Sequence, residues 1–409
     1  MSPTSRALPV TRTAAGARWV REWWMEHGLT VQRLAVAVLS VCALLKLGEG
    51  FWRLLSPSSV TGANDLKFRH AEVQQWFAGQ PVYAQSSYAV YPPASYAMLW
   101  PLLGWLDLLA ARRLWAGTLV LLLVWLTYLL VKESGAATTL ERALVVLLLL
   151  SMNATGLTIG NGQLTLHLVP PVLASVLLVH RPGGGWAAQL VIAFLLLVSM
   201  LKPSDTVPFF WLVLFAGGMR SVLLVGLGYV ALTLLAAAFQ PVSFPTLSAQ
   251  WFTNASAIAV PFGYANLHSW LAAIGMEHWD AAASLVALLA LGVWTYRHRR
   301  GDLWVALGVT GLVARFWTYH ISYDDLWIIL PSIALFRVAS SGRAADGSDV
   351  LAGVVLAAAA VVMLIPETVR HSRPPWPLLF SISHTIVWTA MLVLLLAGAE
   401  RVSPPDHAT

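Results

Sequence analysis

The first feature of this chain that could do chemistry is a carboxylate set among basic residues. Asp65 is followed by Lys67, Arg69 and His70 in the run Asn64-Asp65-Leu66-Lys67-Phe68-Arg69-His70. A positioned carboxylate can take a proton from a hydroxyl, while nearby cations hold an anionic group and stabilise the charge it carries away. The same acid also has a plainer reading. Asn and Asp cap helix starts, and residues 65–78 read as an amphipathic helix that Asn64 or Asp65 would begin. On that helix Leu66, Phe68, Val73, Trp76 and Phe77 are expected to pack on the membrane. Gly79-Gln80-Pro81-Val82-Tyr83 and Tyr91-Pro92-Pro93 follow, and the two prolines hold Tyr91 and Pro92 in extended backbone.

Further polar residues interrupt apolar sequence. Lys202 stands beside Pro203 and Asp205, either snorkelling to the interface or meeting a lipid phosphate. Asn161 and Gln163 flank Gly162, where Asn161 reads as a cap and Gln163 as a contact to a sugar hydroxyl. Arg315 lies inside an apolar run, where a bare cation costs ~2.5–3.5 kcal/mol, so it needs a phosphate or an ion-pair partner. His320 comes five residues later, then Asp324 and Asp325, which point about 100° apart on a helix, so that at most one faces a cavity. Residues 240–280 hold Trp251, Phe252, Tyr264, His268, Trp270, His278 and Trp279, suited to interfacial anchoring or to roofing a sugar site. His268 and His278 have no acidic partner at metal-ligand spacing, so no metal site is expected. No GxGxxG, P-loop or Ser-His-Asp pattern is present, and no cofactor is expected.

These residues must be positioned by membrane helices. Hydrophobic residues make up 58% of the 409-residue chain and charged residues 11%, with mean hydropathy +0.70. A soluble fold of this size cannot hide that much apolar surface. The chain therefore reads as an all-α polytopic integral membrane protein of the inner (plasma) membrane. Its net charge of +6 forms no dense basic patch, and nucleic acid is not an expected partner. The single cysteine, Cys42, excludes an internal disulfide.

Twelve spans are predicted: 31–51, 112–131, 142–158, 162–180, 186–201, 205–218, 220–239, 281–297, 302–320, 323–339, 350–366 and 376–398. Residues 94–110 are ambiguous, carrying Pro101 and Asp107. If they do not cross, the loops around Lys132, Arg181, Arg220, Arg297 to Arg300 and Arg337 all fall inside, as the positive-inside rule prefers. Residues 1–30 are then a cytoplasmic arm with Trp19, Trp23 and Trp24 at the interface. Residues 31–398 form a single transmembrane domain, 399–409 a cytoplasmic tail, and 52–111 and 240–280 long extracytoplasmic loops. Nearly all the unusual polar residues fall on that outer face.

Taken together, Asp65 after the first span, Gly79-Gln80-Pro81-Val82-Tyr83, and Tyr91-Pro92-Pro93 with Pro101 behind it resemble the first extracytoplasmic loop of glycosyltransferase family 87. The similarity continues through Gly162-Gln163, Lys202-Pro203 and Tyr323-Asp324-Asp325, although the family often has His-Asp where this chain has Asp324-Asp325. The resemblance implies a GT-C fold with about 12 transmembrane helices and a long helical first outer loop. It also implies the activity of polyprenol-phosphate-mannose-dependent α-1,2-mannosyltransferases: a polyprenyl-phosphate-linked sugar donor, a glycolipid or glycan acceptor, and inversion. Asp65 maps onto the presumed base. Lys202, Arg315, Lys67, Arg69 and His320 would serve the donor phosphate, and Tyr91, Asn161, Gln163, His268 and Asp324 the sugar or acceptor. The rival readings are a transporter or flippase of a lipid-linked substrate, and a non-catalytic membrane assembly subunit.

Overall fold

The computed structural model describes residues 12–402 apart from 60, 182, 263 and 342–346. The first eleven residues of the expected arm and the last seven of the expected tail lie outside the described residues. Every regular element among the described residues is helical.

The arm and the first span are one continuous helix, Arg12–Leu55, of 44 residues. At 1.5 Å per residue it is a rod of about 66 Å, roughly twice the ~30 Å hydrocarbon thickness. Residues 12–30 therefore extend the span rather than leading up to it. No proline intervenes to stop the helix before Val31. Leu34, Val38, Val41, Leu44 and Leu45 face outward. The inner face runs along Thr139–Ser151 and Asn153–Asn161, a pair bent by 47° at Met152. Small residues permit this contact, since a Cβ on Gly50 would lie 2.9 Å from the Gly156 carbonyl oxygen. Polar rungs on either side fix its register: Lys46 Nζ donates to Asn153 Oδ1 at 2.9 Å, and Arg53 Nη2 to Asn161 Oδ1 at 2.7 Å.

Among the described residues five helices are long and apolar enough to cross a membrane, and the bent pair, counted as one span, makes a sixth. They are Arg18–Leu55 within the first rod, Leu108–Glu133, Met219–Ala237, Glu277–Arg297 and Trp376–Glu400. Leu121, Val124, Leu227, Val286, Ile386 and Val393 stand more than half exposed on them, a surface stable only against lipid. Four shorter apolar helices occupy other expected spans: Thr165–Val179, Trp186–Ser199, Leu303–Phe316 and Ser348–Leu364. The expected span 205–218 is broken into Pro203–Thr206, a 3-10 turn and Phe210–Phe215, because Pro203 and Pro208 remove donors from any continuous helix. The expected span 323–339 begins as a 3-10 turn, Ser322–Ile328, before becoming the α-helix Ile329–Ser341.

The ambiguous stretch 94–110 holds one short helix and the start of the next. Pro93–Leu103 has 11 residues, about 16 Å, and ends at Gly104. The helix Asn64–Phe77 also departs from expectation. Leu66, Val73 and Trp76 are fully buried inside the protein, and only Phe68 is largely exposed. Trp76 stacks on Tyr96 at 4.3 Å between ring centroids and donates to the Ala236 carbonyl at 2.8 Å. The first loop is thus a packed layer across one end of the bundle. Residues 240–280 are mostly helical and clamp it. Asn254 Nδ2 donates to the carbonyls of Tyr83 and Ser86, and Trp251 Nε1 to that of Val90.

Candidate active site

Asp65 does not cap its helix. The capping position is Ala63, held at φ 54° with no side-chain bond to the helix end, and Asp65 is the second residue of Asn64–Phe77. Its carboxylate is left for other work, and the first-turn position suits its negative charge. The helix start is anchored to another chain reversal. Ala63 N–H donates to the Gly160 carbonyl at 2.8 Å. Gly162, at φ 69°, closes Asn153–Asn161 in a Schellman turn whose outer bond runs from Gln163 N–H to the Thr158 carbonyl at 2.8 Å. A Cβ on Gly162 would come within 2.6 Å of Leu66 Cβ, so glycine is needed both for the backbone and for the contact. The turn brings Gln163 near Asp65. Gln163 Oε1 accepts from Leu164 N–H at 3.2 Å. Burial pushes the Asp65 carboxyl above the ordinary carboxylate range, opposed by the side chain of Gln163 and by the charges of Arg69 and Lys202.

The extended Tyr91-Pro92-Pro93 segment carries a second group to the same place. Pro93 starts a helix whose Ser95 Oγ donates to the Leu201 carbonyl at 2.8 Å, docking it beside Lys202. Lys202 Nζ lies 3.0 Å from Asp205 Oδ1 and 2.5 Å from Asp324 Oδ1, and 5.3 Å from the centre of the Tyr323 ring. Asp324 also accepts from Thr165 Oγ1 at 3.1 Å and meets His320 Nδ1 at 3.1 Å, while Trp327 Nε1 donates to Asp205 Oδ2 at 3.2 Å. An ammonium has three donors, and these carboxylates engage two of them. The side chain remains 16% exposed. Asp65, Asp324 and Lys202 all act on the Tyr319 hydroxyl, and Asp65, Asp324 and Tyr91 on that of Tyr323. Asp65, Tyr91, Gln163, Lys202 and Asp324, far apart in sequence, thus form one neighbourhood at the end of the bundle.

The other expected site residues take protein partners, some of them within this neighbourhood. Lys67 lies on the opposite side of its helix from Asp65, in the field of Arg112. Arg69 is buried, 2.7 Å from Glu72, bonded to the Tyr88 carbonyl at 2.9 Å and stacked 4.5 Å from the Tyr91 ring centre; it ties the first helix to the proline segment. His320 is fully buried, with one ring nitrogen on Asp324 and the other 3.1 Å from Thr318 Oγ1. Arg315 is also sealed. Its Nε reaches Asp325 Oδ1 at 2.6 Å, Nη2 donates to the Tyr264 carbonyl at 3.2 Å, and the rings of Tyr264 and Trp388 stand at 4.9 and 4.8 Å. The Tyr264 hydroxyl donates to the same Asp325. Asn161 holds Arg53. His268 has partners that sequence spacing did not suggest: Ser284 Oγ at 2.8 Å and Asp280 at 3.7 Å.

Asp205, His320 and Asp324 each offer a ligand atom within 4.8 Å of the others. Lys202 Nζ already stands among them, so a divalent ion would have to displace the ammonium. Tyr319 was not singled out from sequence, and Tyr323 was named only within the motif Tyr323-Asp324-Asp325; both lie in the field of Asp65 and Asp324. The available signal was the density of polar and aromatic residues from Trp317 to Asp325 between two apolar runs.

The sequence model of glycosyltransferase family 87 matches residues 89–318. That interval takes in Tyr91, Gln163, Lys202 and Arg315. No curated protein and no solved structure matches the chain.

Proposed function

The chain belongs to glycosyltransferase family 87 and is a membrane glycosyltransferase, and from that premise we propose that it moves a sugar, mannose, from a polyprenyl-phosphate donor to a lipid or glycan hydroxyl with inversion. In this reading the bundle is a GT-C fold of about twelve spans. The reaction takes place on the extracytoplasmic face of the inner membrane, the side assigned to residues 52–111 by the basic residues of the opposite loops. The single observation that carries the reading is the gathering of Asp65, Tyr91, Gln163, Lys202 and Asp324 from four separate connections at one end of an apolar bundle.

The proposed chemistry is a single displacement. Asp65 accepts the proton of the acceptor hydroxyl as its oxygen attacks the anomeric carbon. The bond from that carbon to the phosphate oxygen breaks, and polyprenyl phosphate leaves with the electron pair. Lys202 meets the phosphate with its third N–H and stabilises the growing charge. Burial raises the Asp65 carboxyl above the ordinary carboxylate range, which strengthens it as a base, and Gln163, Arg69 and Lys202 oppose the rise. Arg315 and His320 support the fold of this neighbourhood from inside. Tyr91 and Tyr319 flank the space where the sugar would lie.

The test is transfer of radiolabelled mannose from polyprenyl-phosphate mannose by the purified protein, comparing the parent chain with Asp65→Asn. The variant should accumulate normally, because no cap is lost, and should lose ~10²-fold or more in rate. Near-normal turnover would move the base to Asp205 or Asp324. No transfer by the parent chain from any polyprenyl-phosphate sugar would overturn the donor class.

A further inference from the structure

The anion that this reaction would release gains charge as it leaves. A sugar phosphodiester carries one negative charge, and the phosphate monoester that departs carries about 1.5–2 at neutral pH. Lys202 alone is poorly matched to that change. Its ammonium already faces two carboxylates, Asp205 and Asp324, and Asp65 adds a third to the neighbourhood. Arg69 and Arg315 are spent on Glu72 and Asp325. Carboxylates in such excess repel a phosphate unless a further cation reaches the site.

A further cation does reach it, from the connection before the last helix. Glu367–His371 is a 3-10 turn, in which residues three apart stand one above the other. Glu367 Oε1 accepts from Ser322 Oγ at 2.7 Å, which pins that side of the turn to the segment carrying Tyr323 and Asp324. Arg370, three residues on, shares this side. Its guanidinium carbon lies 4.9 Å from the centre of the Tyr264 ring, whose hydroxyl donates to Asp325. Arg370 is half-buried, whereas His371 and Arg373 are exposed. The charge of Arg370 joins that of Lys202 in acting on the Tyr319 hydroxyl, against those of Asp65 and Asp324. This connection lies between the expected spans 350–366 and 376–398, on the side of residues 52–111, where the positive-inside rule gives an arginine no topological use.

We propose that Arg370 is a second cation for the donor phosphate, meeting the charge that Lys202 leaves uncompensated as polyprenyl phosphate departs. The proposal rests on the donor being a polyprenyl-phosphate sugar. The bond from the anomeric carbon to the phosphate oxygen breaks, its electron pair stays on that oxygen, and the proton of the acceptor hydroxyl goes to Asp65. A guanidinium can offer paired N–H donors to a phosphate along its edge while its face rests on an aromatic ring. Its charge is called on most once the bond is breaking, so it serves the transition state and the released polyprenyl phosphate more than the intact donor.

The experiment compares the full chain with Arg370→Gln and Arg370→Lys, with polyprenyl-phosphate mannose as donor and octyl α-mannoside as acceptor. It measures kcat, both KM values, and inhibition by polyprenyl phosphate, by uncharged polyprenol and by phosphatidylglycerol. Arg370→Gln should lower kcat about tenfold and weaken inhibition by polyprenyl phosphate about tenfold. The KM for octyl α-mannoside and inhibition by polyprenol should not change. Arg370→Lys keeps the charge but gives up the paired donors, and should weaken polyprenyl phosphate about threefold, again without touching polyprenol. It carries the test if Arg370→Gln does not assemble. Parental kcat and inhibition in the variants would overturn the proposal. Equal weakening of polyprenol and polyprenyl phosphate, or loss of both variants from the membrane, would make Arg370 a brace on Tyr264 and overturn it too. So would phosphatidylglycerol that inhibits the parent as strongly as polyprenyl phosphate does and spares Arg370→Gln, which would assign the arginine to bulk lipid. No transfer by the parent chain from polyprenyl-phosphate mannose is the failure of the donor reading, whereas an active parent with an indifferent Arg370→Gln condemns Arg370 alone.

Discussion

Asp324 and Asp325 are neighbours in sequence, each bound to a cation, yet the two pairs are built for different ends. Asp325 holds Arg315, which is 0% exposed and lies between the rings of Tyr264 and Trp388. Asp324 holds Lys202, which shares its charge with Asp205 and is 16% exposed. The 3-10 turn Ser322–Ile328 aims the adjacent carboxylates about a third of a turn apart. A guanidinium is planar and weakly hydrated, and it tolerates stacking in a dry site. An ammonium is a compact, strongly hydrated charge that keeps an unspent donor where water or a substrate can reach it. The difference teaches that an ion pair near a candidate active site is not evidence of chemistry in itself. Arg315 Nη1 also lacks a hydrogen-bond partner, so what separates the pairs is whether the cation has an opening.

The contrast can be broken most forcefully at Arg315. Arg315→Met leaves the Asp325 charge buried without its partner, which costs about 3–5 kcal/mol. The variant should be largely lost from the solubilised fraction, and Asp325→Asn in the same chain should restore part of its thermal midpoint. Survival of Arg315→Met as an assembled protein with weakened donor binding would instead place the phosphate at Arg315. Lys202→Met should behave differently. It should remain assembled, because the cluster keeps His320 and Trp327, but transfer should fall by about 10²-fold, the scale of losing one charge-stabilising donor. If it disappears from the membrane as Arg315→Met does, both pairs are structural and the contrast collapses. The smallest effect belongs to a third pair far along the bundle, Arg21 with Asp349 at 2.6 Å, whose arginine is 36% exposed. Arg21→Gln should cost under about 1 kcal/mol by thermal denaturation and leave transfer unchanged. A larger loss would show that exposure is not the variable that ranks these pairs.

Much of this was legible in the chain itself. Apolar composition and the run lengths of Leu, Val and Ala require helices in lipid, because a backbone in hydrocarbon must satisfy its own hydrogen bonds. The paired prolines after Tyr91 require an extended approach to a helix. An arginine in an apolar run requires a partner. These are local demands, met within a few residues of where they arise. The resemblance to glycosyltransferase family 87 was likewise carried by residue types in order; the family match over residues 89–318 takes in Tyr91-Pro92-Pro93, Gly162-Gln163 and Lys202-Pro203, while Asp65, residues 79–83 and Asp324 lie outside it.

What sequence could not decide was which of two permitted partners each polar group would take. Arg315 needed an anion, and only packing chose Asp325 over a phosphate. Asp65 could cap a helix or face a cleft, and Ala63 took the capping position, freeing the carboxylate. Leu66, Val73 and Trp76 could lie on lipid or on protein, two environments equally apolar, and the layer formed with residues 82–103 and Met219–Ala237 claimed them. Hydrophobicity and charge are properties of a residue and are read along the chain. Partner choice depends on distances between segments a hundred or more residues apart, so only the tertiary structure decided that Asp65, Gln163, Lys202 and Asp324 share one place.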